Sequence, residues 1–210
     1  QALEAIDSAL KVQTKACGYS LRAAINLELG EAERSIADAR SALALDAGDE
    51  VASLCLMESL LNIGRKSEAL EEARRSSKIL PRNGFALARA GRIQGILGDY
   101  AAASRNLNRA IALNSKCVVF RTWRSEVRRR TGKAAAALKD LDEALKINPT
   151  YHLAYTWRGR LHLNRKCYKA AVSDFNRALK LNPNQLRARA WRAGAYWKMG
   201  NCSQAAIEFD

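Results

Sequence analysis

The feature that most restricts this chain is a set of glycines at a fixed spacing. Gly30, Gly64, Gly98, Gly132 and Gly200 fall on a 34-residue period, with Lys166 standing where the missing member would be. The three prolines, Pro81, Pro149 and Pro183, keep the same period. So do smaller residues. Ser125, Gly159 and Ala193 correspond, as do Ala137, Ala171 and Ala205, Ala144 and Ala178, and the large apolar Leu141, Phe175 and Phe209. A fixed period of this length marks a repeat array, in which each unit buries its apolar face only by stacking on its neighbours.

Within one period the pattern is that of two helices and a turn. The stretch from Ala154 to Pro183, AYTWRGRLHLNRKCYKAAVSDFNRALKLNP, is the most regular example. Glycine permits the positive φ of a tight turn between helices. Proline cannot continue a helix and stops the second one. Small residues between them let two helix backbones approach closely. No stretch reads as a β-strand.

These residues resemble the tetratricopeptide repeat. With Pro183 as position 32, repeats begin at Ala16, Glu50, Gly84, Val118, His152 and Leu186, and the turn glycine is position 15. The resemblance implies an all-α fold, a right-handed superhelical solenoid of 34-residue antiparallel helix pairs. The expected organisation is a second helix of a partial repeat over 1–15, whole repeats over 16–49, 50–83, 84–117, 118–151 and 152–185, and a partial repeat over 186–210. Together they form one continuous solenoid, expected to be a fragment of a longer protein. Some positions depart from the family pattern: Lys166 for the turn glycine, Ser115 for proline, Met57 at small position 8 and Ser35 for alanine at position 20.

Charge is uneven along the chain. The net charge is +14 overall. Residues 1–83 hold 11 Lys/Arg and 13 Asp/Glu, whereas residues 84–210 hold 24 and 8. The basic half implies acidic partners: an acidic peptide or protein face, anionic lipid or nucleic acid. No apolar run approaches the roughly 20 residues that span a membrane, and an intracellular, cytoplasmic setting is expected. The five cysteines (Cys17, Cys55, Cys117, Cys167, Cys202) are odd in number and lack a Cys-x-x-Cys pair. They are expected to be reduced, small buried or boundary side chains.

Helical spacing puts positions 2, 5, 6, 9 and 13 of the first helix on one stripe. In tetratricopeptide-repeat proteins this stripe lines the concave groove where peptides bind. Carried over position by position, it supplies Arg89, Trp123, Trp157 and Trp191 at position 6. Position 9 holds Arg92, Glu126 and Arg160, and position 13 holds Arg130, Asn164 and Lys198. A tryptophan therefore recurs three times, flanked by cations. Such a ladder can anchor apolar side chains and carboxylates of a protein partner. It can also stack bases and hold phosphates. Equally, the rings can simply pack one first helix on the next.

The two-carboxylate clamp by which some family members grip acidic chaperone tails is not expected. Ser20 and Ala24, Leu54 and Glu58, Ala88 and Arg92, Thr122 and Glu126, and Thr156 and Arg160 do not supply its Lys and Asn. Only Arg89 suits its final place.

No zinc spacing, Gly-rich phosphate loop or nucleophile motif occurs. His162, at position 11, reads as a core-boundary residue. Asp140, Asp142 and Glu143 beside Lys139 and Lys146 read as an ordinary charged helix face. Neither metal, cofactor nor enzyme activity is expected. The expected function is a protein-binding scaffold whose contact region is the basic, Trp-lined face of residues 84–210. The alternatives are RNA or single-stranded nucleic-acid binding by the same face, a co-chaperone, or a structural subunit of a large assembly.

Overall fold

The computed structural model describes residues 15–208. The stripe expected in residues 1–13 and the ring of Phe209 lie outside the described residues. Among those described, every regular element is helical. The elements are α1 (Ala16–Glu28), α2 (Ala32–Leu45), α3 (Glu50–Asn62), α4 (Lys66–Ile79), α5 (Gly84–Ile96) and α6 (Tyr100–Leu113), then α7 (Val118–Arg130), α8 (Ala134–Ile147), α9 (His152–Asn164), α10 (Tyr168–Leu181), α11 (Leu186–Lys198) and α12 (Cys202–Ile207). Contacts divide the described residues into two compact units, 15–113 and 114–208. In each unit, odd-numbered helices pack on the even-numbered helix that follows.

The turns explain the glycine period. The N–H five residues past a first-helix carbonyl returns to it in every repeat: Glu31 to Asn26 at 2.8 Å, Lys133 to Arg128 at 2.8 Å, Asn201 to Tyr196 at 3.0 Å. This closure requires a left-handed residue just beyond the helix. Gly30, Gly64, Gly98, Gly132 and Gly200 provide it with φ between 75° and 92°. Lys166 takes the same conformation, φ 62°, and is the one non-glycine residue described with positive φ.

Alanines at the helix crossings are fully buried, among them Ala137, Ala171, Ala144 and Ala178. Large side chains fill the space between: Leu107, Leu141 and Phe175 are each 0% exposed. Gly159 shows how close α9 and α10 come, since a Cβ there would lie 2.7 Å from the Phe175 ring.

Charge also holds each helix pair together. Arg22, Arg124, Arg158 and Arg192, all at position 7, reach the acids at position 23: Asp38 at 2.6 Å, Asp140 at 2.5 Å, Asp174 at 2.7 Å and Glu208 at 2.7 Å. Asp140 is therefore not part of an exposed charged face. It is 2% exposed and also takes Arg128 at 2.8 Å. Glu143 does pair with Lys146 on the surface, at 3.2 Å. His162 sits beside the same kind of acid, 3.8 Å from Asp174.

Two further expectations change. At position 5, Ser20, Ala88, Thr122 and Thr156 are buried and Leu54 is half-buried, while Ala190 is exposed. Thr156 instead donates to Gln185 at 2.8 Å, and Ser20 to Asp49, so the position ties a first helix to the last residue of its own repeat. Of the cysteines, Cys55 is buried and Cys117 half-buried, but Cys17, Cys167 and Cys202 are exposed, and all are free thiols. The exposed ones sit at helix starts, where the chain turns through solvent.

Candidate functional site

In unit 2 the first helices α7, α9 and α11 lie side by side, with like positions opposed. Trp157 and Trp191 meet at position 6, their ring centroids 5.6 Å apart and tilted by 59°. Trp191 also packs on Phe175 at 6.3 Å. Both indoles are half-buried and rest on the cores beneath them. Trp123 packs on Phe120 of its own helix at 6.4 Å. The tryptophans are thus structural in part, as helix-stripe aromatics commonly are.

What covers the rings is cationic. The Arg160 guanidinium lies 5.4 Å from the Trp157 centroid and 4.6 Å from that of Trp191. Arg187 lies 5.9 Å and 6.0 Å from the same two rings. Such contacts contribute about 0.5–2 kcal/mol each, more when desolvated. Arg160 extends toward Glu126 at 3.9 Å. Glu126 in turn accepts from Arg129 at 2.7 Å and from Arg130 at 2.8 Å.

Glu126 is therefore shared among the guanidinium groups of Arg129, Arg130 and Arg160. Burial pushes the Glu126 carboxyl up, but hydrogen bonds from Arg129 and Arg130 and the charges of Arg129 and Arg160 outweigh it and hold the carboxyl below its ordinary value. The Arg160 guanidinium is held low, first by burial and then by Arg129, Arg130 and Arg187, with Glu126 opposing. The site is a positively charged centre locked in position by aromatic packing.

A shallow cavity of about 420 Å³ adjoins it, between the starts of α9 and α11, with Trp157, Arg187, Thr156 and Gln185 in its walls. His152 also lines it, and its Nδ1 is buried without a hydrogen-bond partner.

The expected residues do not all converge. Trp157, Trp191, Glu126, Arg130 and Arg160 belong to the centre. Asn164 and Lys198 lie exposed at the ends of α9 and α11. Arg89 and Arg92 belong to unit 1, where Arg92 pairs with Glu58. Arg129 and Arg187 were missed by the sequence reading. Arg187 occupies position 2, on the same stripe, so the spacing held a signal for it. Arg129 joins through a three-residue step back to Glu126. Among the described residues, no group of three His, Cys, Asp or Glu side chains could hold a metal ion, and no helix is long and apolar enough to cross a membrane.

Tetratricopeptide repeat family models match residues 152–185 and 89–152. The chain is a tetratricopeptide-repeat protein. Residues 8–85 also match the model of the bacterial transcriptional activator domain. Among solved structures, the chain is similar to a tetratricopeptide repeat protein from Parabacteroides merdae ATCC 43184, at 16% identity and TM-score 0.83, over 99% of this chain and 83% of that one. It is similar to a chain of the APC/C hetero-tetramer Cut9-Hcn1, at 16% identity and TM-score 0.81, and spans 42% of that chain's length with 99% of its own. It is also similar to YrrB, a tetratricopeptide-repeat protein with an unusual peptide-binding site, at 20% identity and TM-score 0.61, over 89% and 96% of the two chains. At these identities the likeness is one of fold. No curated protein matches the sequence. The repeat fold is one of generally non-catalytic scaffolds for protein–protein interaction.

Proposed function

We propose that this chain is a non-catalytic scaffold that holds an acidic protein segment on the first-helix face of residues 118–198. The observation that carries the reading is the placement of Arg160. Its guanidinium is fixed over both Trp157 and Trp191, with Arg187 over the same two rings. A cation already immobilised and partly desolvated loses little entropy on meeting a carboxylate, which favours charge-assisted pairing. In YrrB, a peptide-binding site on this fold supports a peptide-like occupant. The transcriptional-activator match of residues 8–85 supports a setting in which the scaffold joins regulatory proteins.

Nucleic-acid binding by the same face fits less well. Base stacking needs open aromatic faces. Here the Trp157 and Trp191 rings are half-buried against each other and covered by Arg160 and Arg187.

The test is an affinity capture from extract, with and without nuclease, beside two variants checked for folding by circular dichroism. One is Arg160→Gln/Arg187→Gln, and the other is Trp123→Ala/Trp157→Ala/Trp191→Ala. A protein that survives nuclease and is lost with the arginine pair supports the scaffold. Capture abolished by nuclease replaces it with the nucleic-acid reading. A protein that binds both folded variants undiminished places the contact elsewhere.

A further inference from the structure

Unit 2 has a second charged feature, distinct from the tryptophan pair. Glu126 meets Arg160 and Trp157 meets Trp191 at matching positions, so α7, α9 and α11 run parallel and in register. Their following turns therefore fall on one edge. That edge carries Arg130 and Lys133, then Arg165, Lys166 and Lys169, then Lys198, all exposed. No Asp or Glu occurs in residues 127–139, 159–173 or 197–207. Arg130 is paired with Glu126. Among the described residues, the side chains of Lys133, Arg165, Lys166, Lys169 and Lys198 make no ion pair.

Helix stability accounts for Arg130, Arg165 and Lys198, which stand at the C-terminal, negative ends of α7, α9 and α11, but not for Lys133, Lys166 and Lys169. Lys133 is the N-cap residue of α8, Lys166 immediately precedes the N-cap of α10, and Lys169 is the second residue of α10. The N-terminus is the positive end of the helix dipole, where a cation is unfavourable. None of α8, α10 and α12 has an acid in its first turn; in unit 1, α2 and α4 have Glu33 and Glu68 there and α6 has none. Lys166 breaks a second local rule, because it occupies the left-handed turn position that glycine fills in the other described repeats. Two kinds of strain, one electrostatic and one conformational, coincide on the same edge. Strain retained in this way points to use.

The edge also mixes amphipathic side chains among its charges. A shallow cavity of about 560 Å³ lies between residues 166–170 and Met199, with Tyr168 in its wall. Trp197, 64% exposed, precedes Lys198. Four of the six cations are lysines, compact hydrated charges suited to a diffuse negative surface rather than to bidentate recognition of one group. Basic turns interspersed with Trp, Tyr and Met suit the boundary between water and an anionic bilayer.

We propose that the turn edge of residues 130–133, 165–169 and 197–199 docks on the surface of an anionic phospholipid bilayer. The contact is peripheral, made by the headgroups and the uppermost acyl region.

The experiment is co-sedimentation of the whole chain with phosphatidylserine/phosphatidylcholine vesicles and with pure phosphatidylcholine vesicles, at low and high salt. Binding is expected only with phosphatidylserine and is weakened by salt. Each basic side chain near an anionic surface contributes about fivefold to partitioning, so Lys133→Gln/Lys166→Gly/Lys169→Gln is expected to lose about a hundredfold. Lys139→Gln/Lys146→Gln/Lys180→Gln changes the net charge equally, on exposed second-helix positions, and is expected to retain most of the binding. Lys166→Gly alone is expected to bind less and melt higher, which a lysine placed there for stability would not do. Trp123→Ala/Trp157→Ala/Trp191→Ala is expected to bind vesicles normally, which separates this edge from the partner face above. The absence of phosphatidylserine-dependent binding overturns the proposal, as does an equal loss in both lysine triples. Binding to a single-stranded oligonucleotide that needs Lys133, Lys166 and Lys169, without vesicle binding, overturns it in favour of nucleic acid.

Discussion

The guanidinium of Arg124 grips both carboxylate oxygens of Asp140, Nε to Oδ2 at 3.0 Å and Nη2 to Oδ1 at 2.5 Å. Asp140 is 2% exposed, so this pair is a buried clasp between α7 and α8. Removing the acid takes away the carboxylate that Arg124 and Arg128 share. Asp140→Ala is expected to cost about 3 kcal/mol, because a buried charge loses its partner. Urea denaturation checks this. A shift in stability of only a few tenths would show that water reaches the site. Arg124→Met/Arg128→Met/Asp140→Leu should recover most of the loss, since apolar residues of similar volume can replace a buried ion cluster.

Gly159 should not tolerate a methyl group. The added Cβ would meet Phe175 Cε1 at 2.7 Å, well inside normal contact, and Phe175 is 0% exposed with no room to withdraw. Gly159→Ala is expected to destabilise by about 1–3 kcal/mol through overpacking. Its melting temperature should partly recover in Gly159→Ala/Phe175→Leu. Gly194, which has open space around its Cβ position, is the comparison: Gly194→Ala should be neutral or stabilising.

The cysteines should separate by reactivity and by pH. Burial, aided by the charge of Asp49, raises the Cys55 thiol to about 11 from its usual 9.0. The thiolate is the reactive form, so a maleimide is expected to label exposed Cys17, Cys167 and Cys202 first and Cys55 last, as read by mass spectrometry. The sign for stability follows from the same shift. Below pH 9.0 both folded and unfolded thiols are protonated and the contribution is complete. Above that the unfolded thiol ionises first, so stability falls until about pH 11. The loss is up to about 3 kcal/mol, and it should be absent in Cys55→Ala.

Glu126 should show the opposite pH dependence. Its carboxyl is held below the ordinary glutamate value by Arg129, Arg130 and Arg160 acting against burial. Its contribution is complete above the unfolded glutamate value of about 4.3 and is lost as pH falls through the lower folded value. The wild-type chain is expected to be more stable than Glu126→Gln at neutral pH, with the two stability curves converging in acid. Parallel curves across that range would mean the arginines do not depend on this carboxylate.

The repeat register was legible in the sequence because the residues that fix it act locally. A left-handed turn residue and a helix-stopping proline have steric requirements that hardly depend on what surrounds them. Gly30 and Gly200 therefore announce their turns, and Lys166 could be recognised as the exception whose φ of 62° the structure shows. Small residues at the crossings, such as Ala137 and Ala171, are similarly constrained by backbone approach. Charge partners are not local. Asp140 looks like its neighbours Asp142 and Glu143 on a helical wheel, yet it is buried because α8 turns it toward Arg124, sixteen residues earlier on another helix. The tryptophan spacing was visible, but the 5.6 Å meeting of Trp157 with Trp191, and the closure of Arg160 and Arg187 over both rings, depend on how α9 and α11 lie together. Helix periodicity says which side chains share a face; only packing between helices decides which of those faces are covered and which charges are left in excess.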